Sequence, residues 1–553
     1  MCEAMMMKGS LPDSQPSTTQ LHTQSTRATT RLTMDVLAPP PATTTPMGLE
    51  LTERDEAGNI TAVFTELAAR GPFSVVIPED TVSYAQRLLN VFLPAGFPAS
   101  VSSDYVGYQI YDSLQAFSSS IAGLLTSRAV LQGFGVGDAN ASATGALLLT
   151  IVQDSVSRLA TILFAYRFGV ALEAECKKYR LAADVFNDSA MILDCLSPVF
   201  PGPVKIVLLC LSGSLRAACG VAGGGSKASL SVHFARAGNV GELNAKDSSQ
   251  ETVIGLMGML AGSFVVRHIT STWATWVSLT LLLALHLGTN YMAVTSVALR
   301  TLNRQRANIV FSRLSDINST TTTTTTTGGV MVTPGRAARL ERIFERDGVL
   351  RWGESEVLGF ARIGATFSEL AASFHGAIAS GGDGARGGGF PTVGGGGHSR
   401  GGLFPSSRPT ITIHDIAKVF RNEKHLLWYD ARKREVTICL KNDITSEEQL
   451  KAWVHALFVA KKIRHHNDNN SEKKLSLSSP LTNEEILGVI ETTLFDLGMS
   501  FATTVGQLRA VGWDLGTAAL ETKPGYRVGI CSIDAGKDKD EIRSGRDEAK
   551  KDI

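Results

Sequence analysis

The stretch Ile269–Leu299, ITSTWATWVSLTLLLALHLGTNYMAVTSVAL, runs for about thirty residues without Asp, Glu, Lys or Arg. Arg267 and His268 precede it; Arg300, Arg304 and Arg306 follow. A helix needs about 20 apolar residues to cross the hydrocarbon core of a bilayer. The run therefore predicts a membrane-spanning helix, with Trp273, Trp276 and Tyr291 near the two interfaces. The trailing arginines place its C-terminal side toward the cytoplasm, while Arg267 on the other flank opposes that orientation. The competing reading is the buried core helix of a soluble protein. The choice fixes the solvent around every polar group in the middle of the chain.

Upstream, Thr252–Val266 (TVIGLMGMLAGSFVV) is also uncharged. With the long run it predicts a helical hairpin turning at Arg267–His268, or else a short segment buried in protein. Gly255, Gly258 and Gly262 recur at three and four residues, which lets helix backbones approach closely. Val204–Gly225 is apolar but carries Lys205 and Arg216, and Ala141–Val170 carries Asp154, Arg158 and Arg167. Asp154 and Arg158 share a helix face. In a membrane they would be a costly, functional pair; in water, a surface pair of little weight.

At 553 residues the chain predicts two or more domains. A net charge of +1 gives no electrostatic case for nucleic acid. Seven cysteines, Cys2, Cys176, Cys195, Cys210, Cys219, Cys439 and Cys531, form no C-x-x-C pair. That pattern fits a reducing compartment and argues against a disulfide scaffold or a zinc site. MCEAMMMKGS leads into Ser/Thr/Pro-rich sequence with no compact signal peptide, so disorder is expected rather than a transit segment.

The expected fold class is mainly α: a helical, membrane-associated core domain followed by a small α+β C-terminal domain, with a disordered N-terminus and Gly/Thr-rich linkers. The expected segments are a disordered tail at 1–85 with a short strand at Phe73–Ile77, a helical core at 86–314 and a Thr-rich linker at 315–335. A helical connector at 336–375, interrupted at Gly348, follows, then a Gly-rich insertion at 376–409, the α+β domain at 410–535 and a charged tail at 536–553. Within the α+β domain, Leu426–Asp430 and Glu435–Leu440 predict a hairpin. Thr445 with Glu448, and Thr482 with Glu485, open two capped helices. His465–Lys474 reads as loop, Thr503–Val511 as a further helix and Tyr526–Ser532 as a strand.

Three polar clusters interrupt the apolar region. Tyr105, Tyr108, Gln109, Asp112 and Gln115 fall on one helical stripe, which would line a ligand cavity or a polar seam. Lys178 and Arg180 precede Asp184, Asn187 and Asp188, an arrangement suited to a phosphate, a cation or an ion-paired face; two helical carboxylates are too few for a divalent site. His233, Asn239, Lys246, Gln250 and Glu251 crowd between two apolar stretches, as a functional loop or a solvated connection. Gly133-Phe134-Gly135-Val136-Gly137 lies between helical patterns, which does not suit a dinucleotide turn. No H-E-x-x-H occurs.

Four blocks in order, FLPAGFPASVSSDYVGYQIYDSLQAFSSSIAGLL, GFGVGDANAS, KKYRLAADVFNDSA and HFARAGNVGELNAKDSSQET, resemble the root UVB sensitive family, whose shared region is also called the vitamin B6 photo-protection and homoeostasis domain. The resemblance covers about residues 86–312. HLLWYDARKREVTICLKNDITSEEQLKAWVHAL and VGWDLG are similar to the family's C-terminal region. Tyr179 stands where many members carry Trp.

The resemblance implies a predominantly helical, membrane-associated protein. Plant members are linked to ultraviolet-B responses, early seedling development and vitamin B6 homeostasis, and act with one another. The family brings no agreed catalytic residues. Its blocks fall on Asp104, Tyr105, Gln109, Asp112, Gln115, Lys178, Arg180, Asp184, Asn187, Asp188, His233, Asn239, Lys246, Gln250 and Glu251. With Asp154 and Arg158 these are the candidate ligand or polar-interior residues. The expectation is a non-enzymatic multi-pass protein of an intracellular membrane that binds, moves or scaffolds a small polar ligand, with no cofactor and no metal. Membrane lipid is the expected partner, with other family members or vitamin B6-handling proteins beside it, and not nucleic acid. Two alternatives stand: an enzyme forming a Schiff base on a B6 vitamer through Lys246 or Lys178, and a soluble helical interaction protein.

Overall fold

A computed structural model of the chain describes residues 49–54, 60–66, 74–76, 91–133, 143–320, 331–375, 411–472 and 481–529. Near the N-terminus, β1 (Leu49–Arg54), β2 (Ile60–Glu66) and β3 (Ser74–Val76) form a sheet in that order, with β2 and β3 antiparallel. β3 falls on the strand predicted at Phe73–Ile77. The rest of the tail predicted at 1–85 lies outside the described residues.

The helical domain contains α1 (Tyr105–Gly133), α2 (Ala143–Ala174), α3 (Cys176–Leu196), α4 (Gly202–Phe234), α5 (Val240–His268) and α6 (Thr272–Ser296). α5 and α6 both pack on α1; α3 touches α1, α4 and α6; α2 packs on α4. The turn at Arg267–His268 is where the sequence places it, and the Arg128 guanidinium of α1 donates to the Val266 and Ile269 carbonyls there, at 3.0 and 2.5 Å. The two helices beside that turn bury themselves on α1 rather than closing a hairpin on each other.

Glycine sets how near these helices come. A Cβ on Gly258 would stand 2.6 Å from the Ser120 Cβ and 2.9 Å from the Phe117 carbonyl oxygen; one on Gly262 would stand 2.7 Å from the Leu124 Cδ1. Gly255 has ordinary room, its nearest neighbour lying at 3.9 Å. Two of the three glycines in the stripe are therefore sites of backbone approach.

The outside of the domain is apolar. Val207 and Leu211 on α4, Leu260 and Phe264 on α5, and Trp273 and Leu281 on α6 are all exposed. Two charges on α4 are ion-paired: Arg216 with Asp194 at 2.5 Å, and Lys227 with Asp247 and Glu251 at 2.6 Å each. Among the described residues, five helices are long and apolar enough to cross a membrane: Leu147–Ala174, Gly202–Phe234, Val240–His268, Thr272–Ser296 and Asn483–Ala510.

The C-terminal unit begins earlier than the sequence predicts. β4 (Thr301–Asn303) and α7 (Arg304–Thr320) already belong to it: Asn303 caps α7 through the Arg306 N–H at 2.9 Å, and Ala307, Val310 and Phe311 enter its core. The last residues of the core expected at 86–314 therefore pack with the C-terminal core. α8 (Pro334–Leu340) is followed by β5 (Val349–Trp352) and β6 (Glu356–Ile363), an antiparallel hairpin where a helical connector was expected. The correction has a non-local cause: β6 pairs parallel with β8, more than 70 residues later, and Gly348 and Gly353 take positive φ on either side of β5.

α9 (Phe367–His375) and α10 (Ile413–Val419) lead into β7 (His425–Asp430) and β8 (Glu435–Lys441), the predicted hairpin. α11 (Ser446–Glu472) runs through the segment read as loop from His465, and α12 (Asn483–Ala510) absorbs most of the helix expected as separate at Thr503–Val511. Neither stretch contains the Pro that would have stopped it. β9 (Asp514–Ala519) pairs with β4, and β10 (Arg527–Val528) with β8. Of the linker expected at 315–335, residues 315–320 belong to α7 and 321–330 lie outside the described residues, as do the insertion at 376–409 and the tail at 536–553. α12, although apolar enough to span, buries Ile486, Ile490, Leu497 and Leu508 in this core, and we read it as a core helix.

Two histidines sit in that core. The His455 Nε2 faces the Ile490 carbonyl at 3.0 Å and must donate to it, so its Nδ1 accepts from the His425 Nε2 at 3.2 Å. Burial above all pushes His455 down to about 4 and His425 well below the ordinary range. Both bases regain an ordinary value near 6.5 on unfolding. The stability they contribute is complete above about pH 6.5 and is lost as pH falls toward about 4, by about 1.4 kcal/mol per pH unit and histidine. Urea unfolding of the full chain at pH 7.5, 6 and 5 checks this: the transition should move to lower urea, and less steeply in His455→Gln. In the helical domain, Gly258→Leu should cost about 1–3 kcal/mol through overpacking against α1, and Gly255→Ala much less, read as thermal midpoints.

Candidate functional site

Three helices carry polar residues at helical spacing and turn them toward one another. α1 supplies Tyr108, Asp112 and Gln115; α3 supplies Arg180, Asp184 and Asp188; α6 supplies His286 and Asn290. All eight are buried. The Arg180 guanidinium is the hub: it donates to the Asp112 carboxylate at 2.6 Å, the Gln115 carbonyl at 2.8 Å, Asp184 at 3.2 Å and the Tyr108 hydroxyl at 3.2 Å. Asn290 donates to Asp184 at 2.5 Å and Gln115 donates to it at 2.6 Å. His286 donates from Nδ1 to Asp188 at 2.7 Å and turns its Nε2 toward the Gln115 amide at 3.2 Å.

Acids outnumber bases: three carboxyl groups face one guanidinium and one imidazole. The Asp188 Oδ2 and the Asn290 Oδ1 are buried acceptors without a hydrogen-bond partner among the described residues. Buried polar groups are ordinarily satisfied, and each exception asks for a reason. Four of the five Arg180 N–H donors are already committed. The open capacity of the cluster is therefore acceptor capacity, which suits a cation or a hydrogen-bond donor better than a phosphate.

The remaining predicted residues lie elsewhere. The Asp104 carboxylate binds His233 at 3.0 Å, the Ala298 N–H at 2.7 Å and the Ser102 hydroxyl, tying the start of α1 to the ends of α4 and α6. Burial opposes its ionisation, but His233, by hydrogen bond and charge, together with the Ser102 and Ala298 hydrogen bonds, outweighs burial and holds Asp104 well below the ordinary carboxylate range. Gln109 donates to Asp247 at 2.7 Å and Gln250 at 2.8 Å; Tyr105 packs edge-on against Phe234. Lys246 and Gln250 donate to the Val91 and Phe92 carbonyls at 2.8 and 2.7 Å, and Glu251 pairs with Lys227. Asn239 occupies the N-cap position of α5 without a side-chain capping bond. Lys178 donates to the Glu345 carbonyl at 3.4 Å. Asn187 is half-buried outside the cluster, and Asp154 and Arg158 are exposed on α2, apart from it. The one stripe read on α1 thus serves two neighbourhoods.

His286 and Asn290 were not among the predicted residues. The signal for them is a His and an Asn four residues apart inside a run otherwise free of strong polar groups, which places them on one face. Lys177, paired with Glu341 at 2.7 Å where α3 meets the C-terminal unit, was also missed.

Comparison with known proteins matches residues 78–317 to a family described as the vitamin B6 photo-protection and homoeostasis domain, and residues 411–524 to the root UVB sensitive protein C-terminal family. RUS family member 1 of Dictyostelium discoideum is 41% identical over 236 residues, 42% of this chain and 45% of the relative. Protein root UVB sensitive 3 of Arabidopsis thaliana is 39% identical over 228 residues, 41% of this chain and 52% of the relative. Protein root UVB sensitive 6 of the same plant is 22% identical over 453 residues, 81% of this chain and 78% of the relative. The chain spans about half the length of the first two relatives. No solved structure matches.

Removing the hub should be severe. Arg180→Met strands buried carboxylates and should cost about 3–5 kcal/mol. Arg180→Lys should recover only part, since an ammonium cannot reproduce the planar fork. Asn187→Ala should stay near wild type. Thermal midpoints and monodispersity of the purified full chain read all three.

Proposed function

The chain belongs to the root UVB sensitive family, and on that premise we propose a multi-pass membrane protein whose α1–α3–α6 interior binds a small polar ligand without catalysing a reaction on it. The observation that carries the reading is the acid-rich Arg180 cluster, enclosed in a bundle whose outer surface is apolar. In lipid the expected order inverts: ionisable groups face the bundle interior and pair, and their presence marks a ligand or ion path. The ligand would carry a positive charge or hydrogen-bond donors, to meet the surplus of acids and the two open acceptors.

The family's description points to vitamin B6 photo-protection and homoeostasis, so a B6 vitamer with an amine, such as pyridoxamine, is the first ligand to try. The protein would bind it, move it or hold it for another B6-handling protein, in an intracellular membrane. The lysine Schiff-base alternative gains nothing from the geometry, since Lys246 and Lys178 each donate to a backbone carbonyl.

Carbonate extraction of membranes from expressing cells tests the first half: the chain should stay in the pellet, and release into the supernatant would overturn the membrane reading. The second half is tested by thermal shift of the purified full chain. Saturation at 100 times Kd should stabilise it by about 2.7 kcal/mol. Pyridoxamine should raise the midpoint in the wild type and not in Asp188→Asn; an equal shift in both would remove the cluster from ligand binding.

A further inference from the structure

α2 is covered on one side only. Gln153 and Ser157 meet Gly213 of α4, and Phe164 meets Phe186 of α3 with ring centroids 5.9 Å apart. The opposite side presents Leu148, Ile151, Ser155, Arg158, Ile162 and Tyr166, spaced three and four residues apart and so forming one stripe. Their exposure is high: 57% for Leu148, 52% for Ile151, 64% for Ile162 and 85% for Tyr166.

Lipid does not suit this stripe. Asp154 and Arg158 are exposed and, among the described residues, have no ion-pair partner, not even each other. Between Arg158 and Arg167 lie eight residues, about 12 Å of helix, against about 30 Å of hydrocarbon. Charges so placed would sit in the acyl region unneutralised. A protein surface of opposite pattern would neutralise them, and the stripe is its own complement. A two-fold axis beside Val156 sets Asp154 against Arg158 of a second copy and Arg158 against its Asp154. The same operation brings Ile151 to within about one residue of the level of Ile162, and Leu148 to within about two of Tyr166. Such a contact is isologous and closes at two subunits.

We propose that α2 is a homotypic interface, in which two copies of the chain pack this helix antiparallel and close it with two reciprocal Asp154–Arg158 ion pairs. The charges give direction and register, and the flanking apolar residues give the buried area.

Two differently tagged full-length copies are co-expressed, and co-isolation is measured in whichever fraction carbonate extraction places the chain, so the outcome is separable from the membrane reading. Wild-type copies should co-isolate. Two copies of D154R, or two of R158D, should lose more than tenfold, because each sets like charges face to face. One D154R copy with one R158D copy should recover wild-type pairing, since every contact is then complementary. That recovery also shows that both variants fold. Single-variant pairing at the wild-type level, or no recovery in the mixed pair, overturns the proposal. Fold-independent confirmation comes from cysteine cross-linking: S155C should couple to its own copy, and S157C, which faces α4, should not. Equal coupling at the two positions, or none at S155C, also overturns it.

Discussion

The Arg180 guanidinium is where the helical domain is held together. It reaches two carboxylates, an amide and a phenol on two helices, and through Asp184 it engages Asn290 on a third. Elsewhere α5 approaches α1 through Gly258 and Gly262, small residues that allow approach but do not choose a register. The ion cluster chooses it. A slip of one residue on α3 would carry Arg180 out of the fork and leave carboxylates buried without partners, which costs far more than the apolar contacts regained.

The same helix ties the helical domain to the C-terminal unit. Lys177, less than a turn before Arg180, reaches Glu341 at 2.7 Å, and Arg306 of α7 reaches the same carboxylate at 3.2 Å. Nearby, Arg304 pairs with Asp347 and lies over the Trp453 ring, while the Trp453 Nε1 donates to Asn308 at 2.9 Å. Lys177 and Arg180, three residues apart, put the junction and the site on neighbouring positions of one face of α3.

Much of the site was legible because helical spacing is a local property. Tyr108, Asp112 and Gln115 announce one face of α1, and Arg180, Asp184 and Asp188 one face of α3, whatever they pack against. Two things resisted. His286 and Asn290 were hidden by the apolar run that made α6 so easy to find. The Asp154–Arg158 pair had the right spacing for an intrahelical ion pair, yet its side chains stay apart on the open face of α2. Nothing local distinguishes those two outcomes.

The sequence by itself determined the helices, the capped starts at Thr445 and Thr482, the β7–β8 hairpin and the glycines of close approach, all consequences of periodicity and short-range chemistry. Only the tertiary structure decided that β5 and β6 are strands, because their partner β8 lies more than 70 residues away. It also decided that α7 leaves the helical domain for the C-terminal core, and that eight polar side chains from three helices share one buried cluster. Each of those outcomes depends on which surfaces meet, and pairings between distant segments are set by the free energy of the whole fold rather than by any segment's own preference.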